Sequence, residues 1–516
     1  MKTRVQRLLS GLLACCLVCT VLTWNAEAAG VCGFRDVPAN HWAASSIQRC
    51  VELGLFQGES ATTFGVGHEM NRAGFTVVLA RLFGWETTGL DVNITEVYED
   101  VPANAWYAGA VAAAYTHGAL TRQSASFRSD EPITREELAV MLVRAMGYGT
   151  LAGLAQDLAQ PFRDVTTNTD YIAMAYELGL VSGTTATTFS PERTATREQT
   201  AVILMRLYDK LHAAAPGKIG IVASAEEAVD LTGFDAVALT AGQLVYQSGG
   251  THLTATSAAA DAAAVRTAAE SVGAALLYRA TGSEGILRGD PGETAAIVAA
   301  AAAEYDGVLL DLQTVSYQYR KNLTALVTAL DTALGEKTLY VTVQAPSQDD
   351  PMAEEGYDYT ALAALADGLI VRVDAYEGTG SVPIAPMEPL EAVYYAMSRL
   401  SDTVAPEKLV LQLTTTASVW TDGKRDASVT GAQAAQWAES GALREYYSSE
   451  YACAYLSGTM DKQERVVWYL NGDAVKERTV LAACFGINQV CLTSLEELWP
   501  GQFTAGVQGI QPRQCI

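Results

Sequence analysis

The stretch Glu304 to Val315 reads EYDGVLLDLQTV, and the fold turns on how it is read. Its centre, GVLLDL, is a short, almost unbroken apolar run with an acid at each end, Asp306 and Asp311, and an amide, Gln313, two residues further on. Runs of this kind, too short for a helix and without alternation, fit a strand buried on both faces. Seven more follow the same pattern: KIGIVA, FDAVALT, AALLYRA, TLYVTV, GLIVRV, KLVLQL and INQVCLT. Helical segments such as ETAAIVAAAAAEY and KNLTALVTALDTAL separate several of them. Eight strands alternating with helices over residues 217–516 predict an α/β fold, a parallel (β/α)8 barrel of the TIM type. Active faces of such barrels lie at the C-terminal strand ends, where Asp311 and Gln313 stand.

Upstream of residue 217 the pattern changes. GFRDVPANHW, VYEDVPANAW and PFRDVTTNTD align on Asp36, Asp100 and Asp164, spaced 64 residues apart. In each copy an apolar-periodic helix leads to a loop with Phe64, Phe127 or Phe189, then to a polar turn (MNRAG, ITREE, ATREQ) that opens a second helix. Thr134 followed by Glu137 has the spacing of a capping box. The chain therefore holds three helix-loop-helix repeats.

Composition narrows the partners. The formal charge of -24, from 58 acids against 34 bases, excludes a nucleic-acid partner, since that binding is dominated by Lys and Arg neutralising phosphates. Lys2, Arg4 and Arg7 precede an apolar run from Leu8 to Leu22 and the small-residue stretch NAEAAG, which predicts a secretory signal over residues 1–28. No later run is long and apolar enough for a membrane span in the mature chain. A lipoprotein cleavage before Cys15 or Cys16 is a second option for the leader. Beyond the leader remain Cys32, Cys50, Cys453, Cys484, Cys491 and Cys515, with a Cys32–Cys50 bridge as one pairing open to an exported chain. Five scattered histidines, no Walker spacing and no G-x-S-x-G elbow leave no metal, cofactor or serine nucleophile to expect.

The repeats resemble S-layer homology domains, on their F-x-D-V opening, Trp42 and Trp106 soon after, and the TRAE-like turns bearing Arg72, Arg135 and Arg197. Repeats over 31–86, 95–149 and 160–213 are expected. The resemblance implies a pseudo-trimer that attaches, at the cell surface, to a secondary cell-wall polysaccharide, often with acidic pyruvyl groups, through these Arg and Trp residues. An Arg in the first turn of a helix offers a planar fork to a carboxylate; pairing with an acid of a neighbouring repeat is the competing use of the same side chain. The first turn departs from the pattern at Asn71 and Gly74, and the third repeat has no Trp after its DV.

The strand region resembles glycoside hydrolase family eighteen, the chitinase-like barrels, on DGVLLDLQ and on EGYDYTALAALADGLIVRVDAYEG, PEKLVLQL and RVVWYLNGDAVKERTVLAACFGINQVCLTSL. The resemblance implies a DxxDxDxE motif on the fourth barrel strand, its last Glu the general acid and the preceding Asp the assistant of the substrate acetamido group. Here that Glu is Gln313, the middle Asp is Leu309, and the Tyr expected before Asp374 is Val373. The Trp that floors the family's sugar site falls near Thr493. An amide has no proton to give, and loss of general acid catalysis costs roughly 10²- to 10⁴-fold. The motif Asp306, Asp311, Gln313 with Asp374 thus reads as a degenerate catalytic set. Carbohydrate binding without cleavage, by Asp311, Gln313, Asp374 and Tyr376, is the expected role, toward peptidoglycan or chitin-type oligosaccharides. Three alternatives stay open: a relic scaffold that binds nothing, a purely structural surface-layer protein, and a hydrolase with a displaced acid such as Glu377. Late aromatics, among them Tyr446, Tyr447, Tyr451, Tyr455, Trp468 and Tyr469, fit sugar stacking or barrel-wall packing.

Overall fold

The computed structural model describes residues 30–495 except 123, 158–160, 214–215, 227–229, 349, 374–383 and 427. The leader, Asp374, Tyr376, Glu377 and Cys515 lie outside the described residues. The chain divides into two units near residue 210, and each is taken by itself.

In the first unit, the Asp of each repeat opening closes its own aromatic loop. Asp36 accepts backbone N–H bonds from Phe64 (2.8 Å), Gly65 (2.7 Å) and Val66 (3.0 Å). Asp100 takes those of Phe127 (2.6 Å) and Arg128 (2.7 Å), and Asp164 those of Phe189 (2.8 Å) and Ser190 (2.7 Å). Burial would raise the Asp36 carboxyl, but donation from Val66, Phe64 and Gly65 outweighs it and holds the group below the usual carboxylate range. Donation from Phe189 does the same for Asp164. All three Phe rings are buried.

The second helices begin at the polar turns, Arg72–Phe83, Arg135–Ala145 and Arg197–Leu211. Thr134 and Glu137 form the capping box that their spacing predicted, and Asn71 caps the first helix through Gly74. Immediately before these helices the three repeats join in a ring. Ile133 N–H donates to the Met70 carbonyl (2.8 Å), Met70 N–H to Ala195 (2.9 Å) and Ala195 N–H to Ile133 (3.0 Å). Each repeat thereby satisfies the backbone of the next, the pseudo-trimer that the resemblance to S-layer homology domains implies.

In the second unit eight parallel strands close on themselves: β1 (Gly217–Val222), β2 (Ala236–Gln247), β4 (Ala275–Gly282), β5 (Gly307–Leu312), β6 (Thr338–Gln344), β7 (Gly368–Arg372), β8 (Leu409–Leu413) and β14 (Gln489–Leu492). Both β1–β2 and β1–β14 pairings are present, which completes the barrel. Strand β3 (Gly250–Ala255) folds back antiparallel on β2. The interior is dry at mid-height, with Ile221, Ala238, Leu277, Leu309, Ile370, Val410 and Cys491 in one cluster.

Asp306 belongs to the far end of this barrel from Asp311. Five residues of strand separate the two, about 16 Å at ~3.3 Å per residue. Its carboxylate accepts the N–H of Leu276 at the start of β4 (2.7 Å). Asp235 does the same to Lys218 (2.8 Å) and Asp367 to Leu339 (2.8 Å). The acid before β2, β5 and β7 is therefore a repeated staple to the preceding strand, and Asp306 of the degenerate motif stands at the opposite end of β5 from Asp311.

Two further expectations change. Cys32 and Cys50 are both unpaired: Cys50 is buried in the helix Ala44–Glu52 with its thiol toward the Ala201 carbonyl (3.6 Å), whereas Cys32 is exposed. The late aromatics sit neither in the barrel wall nor on a strand of it. They belong, with Tyr451 in the turn between β11 and β12, to a five-stranded antiparallel sheet inserted between β8 and β14, made of β9 (Ser418–Thr421), β10 (Lys424–Arg425), β11 (Arg444–Ser448), β12 (Cys453–Met460) and β13 (Gln463–Tyr469). Tyr446 stacks on Tyr455 (5.3 Å between centroids), and Tyr455 lies against Trp468 (4.7 Å), so these rings spend faces on one another. Among the described residues no helix is long and apolar enough to cross a membrane.

Candidate functional site

Strand alternation places every second residue of the barrel strands inward. One pleat above Leu277, Leu309 and Ile370 come Arg279, Asp311 and Arg372, at the C-terminal end where substrates are handled in such folds. Asp311 is gripped from both sides. Arg279 donates to Oδ2 through Nε (2.9 Å) and Nη2, and Arg372 donates to Oδ1 through Nη2 (2.6 Å). Arg279 also gives Nη1–H to Thr240 Oγ1 (2.8 Å). The Asp311 side chain is 4% exposed, those of Arg279 and Arg372 21% and 19%.

A carboxylate has about four lone-pair sites. Three N–H groups take three of them here and the side chain is 4% exposed, so little of Asp311 is left for a substrate amide. The position of the family's middle Asp, Leu309, lies within the dry cluster and offers no proton path.

Gln313 continues the inward face one step past the strand, where its N–H still donates to Gly282 (2.9 Å) and its side chain is exposed. The loop beyond it is fixed on two sides. Val315 N–H donates to Tyr357 Oη (3.2 Å), and Ser316 donates through N–H and Oγ to Glu284 Oε2 (2.7 Å each). A Cβ at Gly356 would lie 1.7 Å from the Val315 carbonyl oxygen, so that close approach needs glycine. Thr493 Oγ1 accepts the Thr415 backbone N–H (3.0 Å) and bonds the Thr415 hydroxyl (3.0 Å), a polar tie where an aromatic floor was looked for.

Arg279 and Arg372 were missed from sequence. The signal available was a charged residue in phase with the inward apolar positions of AALLYRA and GLIVRV. Among the described residues no group of three or more His, Cys, Asp or Glu could hold a metal ion.

In the repeats, each turn arginine reaches into the neighbouring repeat. Arg72 Nε donates to the Phe127 carbonyl (2.8 Å), Arg135 Nε to Phe189 (2.9 Å) and Arg197 Nε to Phe64 (2.9 Å). Each guanidinium also lies over the ring of the same Phe, at 5.3, 4.5 and 5.0 Å. The forks differ beyond that. Arg72 Nη1 is paired with Glu137 (2.7 Å). Arg135 and Arg197 instead give Nη2–H to carbonyls, of Ser182 (2.6 Å) and Gln57 (2.8 Å), and Glu59 stands 3.8 Å from Arg197. Burial, with Arg193 nearby, draws the Arg135 guanidinium below its usual value, and burial does so for Arg197. Trp42 and Trp106 are 63% and 71% exposed.

The model of the S-layer homology domain family matches residues 33–75, 97–139 and 161–201. An endoglucanase of Bacillus sp. (strain KSM-635) is 33% identical over 188 residues, 34% of this chain and 19% of that protein. An S-layer protein of Bacillus thuringiensis subsp. finitimus is 27% identical over 204 residues, 39% of this chain and 24% of that protein. The chain thus spans about a quarter or less of the length of these relatives. A class V chitinase from Pseudomonas fluorescens Pf-5 superposes with a TM-score of 0.50 at 19% identity, covering 57% of this chain and 99% of that one, a likeness of fold. Three S-layer homology domains and a chitinase-type barrel fold are therefore present, and the domain family with its surface-layer relative places the chain at the cell surface, associated with the wall.

Proposed function

We propose that the three S-layer homology domains hold a secondary cell-wall polysaccharide, and that the barrel they carry binds glycans of N-acetylglucosamine type without cleaving them. The observation that supports the second half is the double arginine grip on Asp311 beneath Gln313. An amide stands where a proton donor is needed, and two arginines already engage both oxygens of the carboxylate that would steer the acetamido group. The barrel keeps polar groups at its mouth, namely Thr240, Arg279, Gln313 and Thr493, which suits recognition rather than bond breaking. Asp374 and Tyr376, from the segment after β7, are proposed to complete the same pocket.

The test is to incubate the chain with chitin oligomers and with peptidoglycan, and to follow retention and reducing ends together. Retention with no new reducing ends is expected. Products whose formation stops in Asp311→Ala would overturn the noncatalytic reading, and no retention at all would leave only a scaffold.

For the wall, Arg72 already has a carboxylate partner in Glu137, which it shares with Arg128, whereas Arg135 bonds only neutral carbonyls in the contacts described above. Arg135→Ala is therefore expected to reduce retention on purified wall polymer about tenfold, and Arg72→Ala by about twofold, since a charge-assisted bond is worth roughly twice a neutral one. Wall-pelleting of the variants measures this. Unchanged pelleting after replacing all three turn arginines would assign them to inter-repeat pinning alone.

A further inference from the structure

We infer that Gln412, at the C-terminal end of β8, is the residue by which the barrel recognises the acetamido group of its glycan. This rests on the glycan-binding reading above and deepens it, since it assigns the choice of sugar to one side chain. Register turns that side chain inward. Val410 pairs with Ile370 of β7, both in the dry cluster, and Gln412 lies two residues further along the same face. On its other side Gln412 pairs with Cys491 of β14, which also belongs to that cluster. Gln412 is 5% exposed, and among the described residues none forms a hydrogen bond with its side-chain amide.

A carboxamide carries two N–H donors and an acceptor oxygen, and burying it without partners is costly. Its neighbours at the mouth are engaged elsewhere: Arg279 with Asp311 and Thr240, Arg372 with Asp311, and Thr493 with Thr415. The surroundings of Gln412 define what it can receive. Beneath and beside it are Val410, Ile370 and Cys491, all buried. Burial pushes the Cys491 thiol up to about 12, so it stays neutral and behaves as one more apolar group. A partner for this corner needs a polar atom within reach of an amide and a small apolar end to lie against those side chains. An acetamido group has both. Its carbonyl oxygen accepts a Gln412 Nε2–H, and its methyl meets the apolar floor. A hydroxyl at the same sugar carbon supplies the polar atom without the methyl, and an ammonium there would have to shed its water beside that floor. The assignment asks nothing further of Asp311, whose oxygens the arginines already engage.

The test compares two neutral sugars. The full chain is titrated calorimetrically with chitotetraose and with cellotetraose, which has hydroxyls in place of the acetamido groups. Chitotetraose is expected to bind at least about tenfold more tightly, the size expected of one hydrogen bond together with a methyl contact. Gln412→Leu, of similar volume, should weaken chitotetraose about tenfold and change cellotetraose little, so that the preference disappears. Its thermal midpoint should not fall, because no bond within the described fold is lost. An equal loss for both sugars would make Gln412 a structural residue and overturn the inference. A preference that survives Gln412→Leu, or equal binding of the two sugars by the parent chain, would overturn it while leaving glycan binding intact. Failure of the parent chain to bind either sugar would remove both readings. Should Gln412→Leu not fold, as judged by circular dichroism, Gln412→Met carries the same comparison, and failure of both to fold would assign Gln412 to the frame of the barrel and overturn the inference.

Discussion

Chitotetraose incubated with the Gln313→Glu chain is expected to emerge intact. The substitution puts a carboxyl where the chitinase-like resemblance asks for a general acid, and on its own a general acid is worth roughly 10²- to 10⁴-fold. It does nothing for Asp311, whose two oxygens remain bonded to Arg279 and Arg372. Nor does it restore a carboxylate at Leu309, which stands in the dry interior. The introduced carboxylate would also face two guanidinium groups and be drawn into an ion pair as their second acid. Reducing-end release indistinguishable from that of the parent chain is the expected reading. Clear turnover from this single change would mean that the arginine grip opens readily in the presence of substrate, and the account of the barrel as a binder would fall with it.

The second large effect concerns stability. Arg478, in the helix Gly472–Cys484, is 0% exposed and is bonded to backbone carbonyls rather than to solvent. It reaches Ala452 (2.7 Å) and Ala474 (3.0 Å), and Glu388 through both Nε (3.1 Å) and Nη2. Ala452 lies between β11 and β12 of the inserted sheet, while Glu388 precedes the helix Leu390–Ser401 and accepts the Thr414 N–H just past β8 (2.8 Å). One side chain thus ties the insert to the barrel frame. Arg478→Ala leaves several buried carbonyls without donors, each costing roughly 1–3 kcal/mol, so a loss on the order of 4 kcal/mol is expected. For a unit of this size that is a fall of about 6 °C in the midpoint of thermal unfolding. Arg478→Lys should recover only part of it, because one ammonium cannot span the same carbonyls. A midpoint within about 2 °C of the parent for Arg478→Ala would show that the insert docks by apolar packing instead.

The barrel was legible because parallel strands covered on both faces lose their alternation and read as plain apolar runs. GVLLDL and LVLQL are examples, and all eight of the runs picked out are barrel strands. The repeats were legible because their period is carried by Asp36, Asp100 and Asp164, residues with the same backbone task in every copy. The insert escaped for the converse reason. Its antiparallel strands are unevenly buried along their length, as QERVVWY is at its two ends, and REYYS is exposed along most of its length. The arginine grip escaped because Arg372 is on β7 and Asp311 on β5, with β6 between them. Their meeting depends on the curvature of a closed sheet, which local sequence does not carry. Gln313 needed no structure to be noticed, but its significance changes with the two cations beneath it.

The hydrogen-bonded circle through Met70, Ile133 and Ala195 has a corollary for how such an anchor can be inherited. An open stack of modules tolerates growth or loss at its ends, where only one neighbour is disturbed. A circle has no ends. Excising one module strands a donor on one survivor and an acceptor on the other, and splicing in a fourth demands a wider ring with new angles at every joint. Recombination should therefore pass this anchor between proteins as an indivisible triplet, copied whole or not at all.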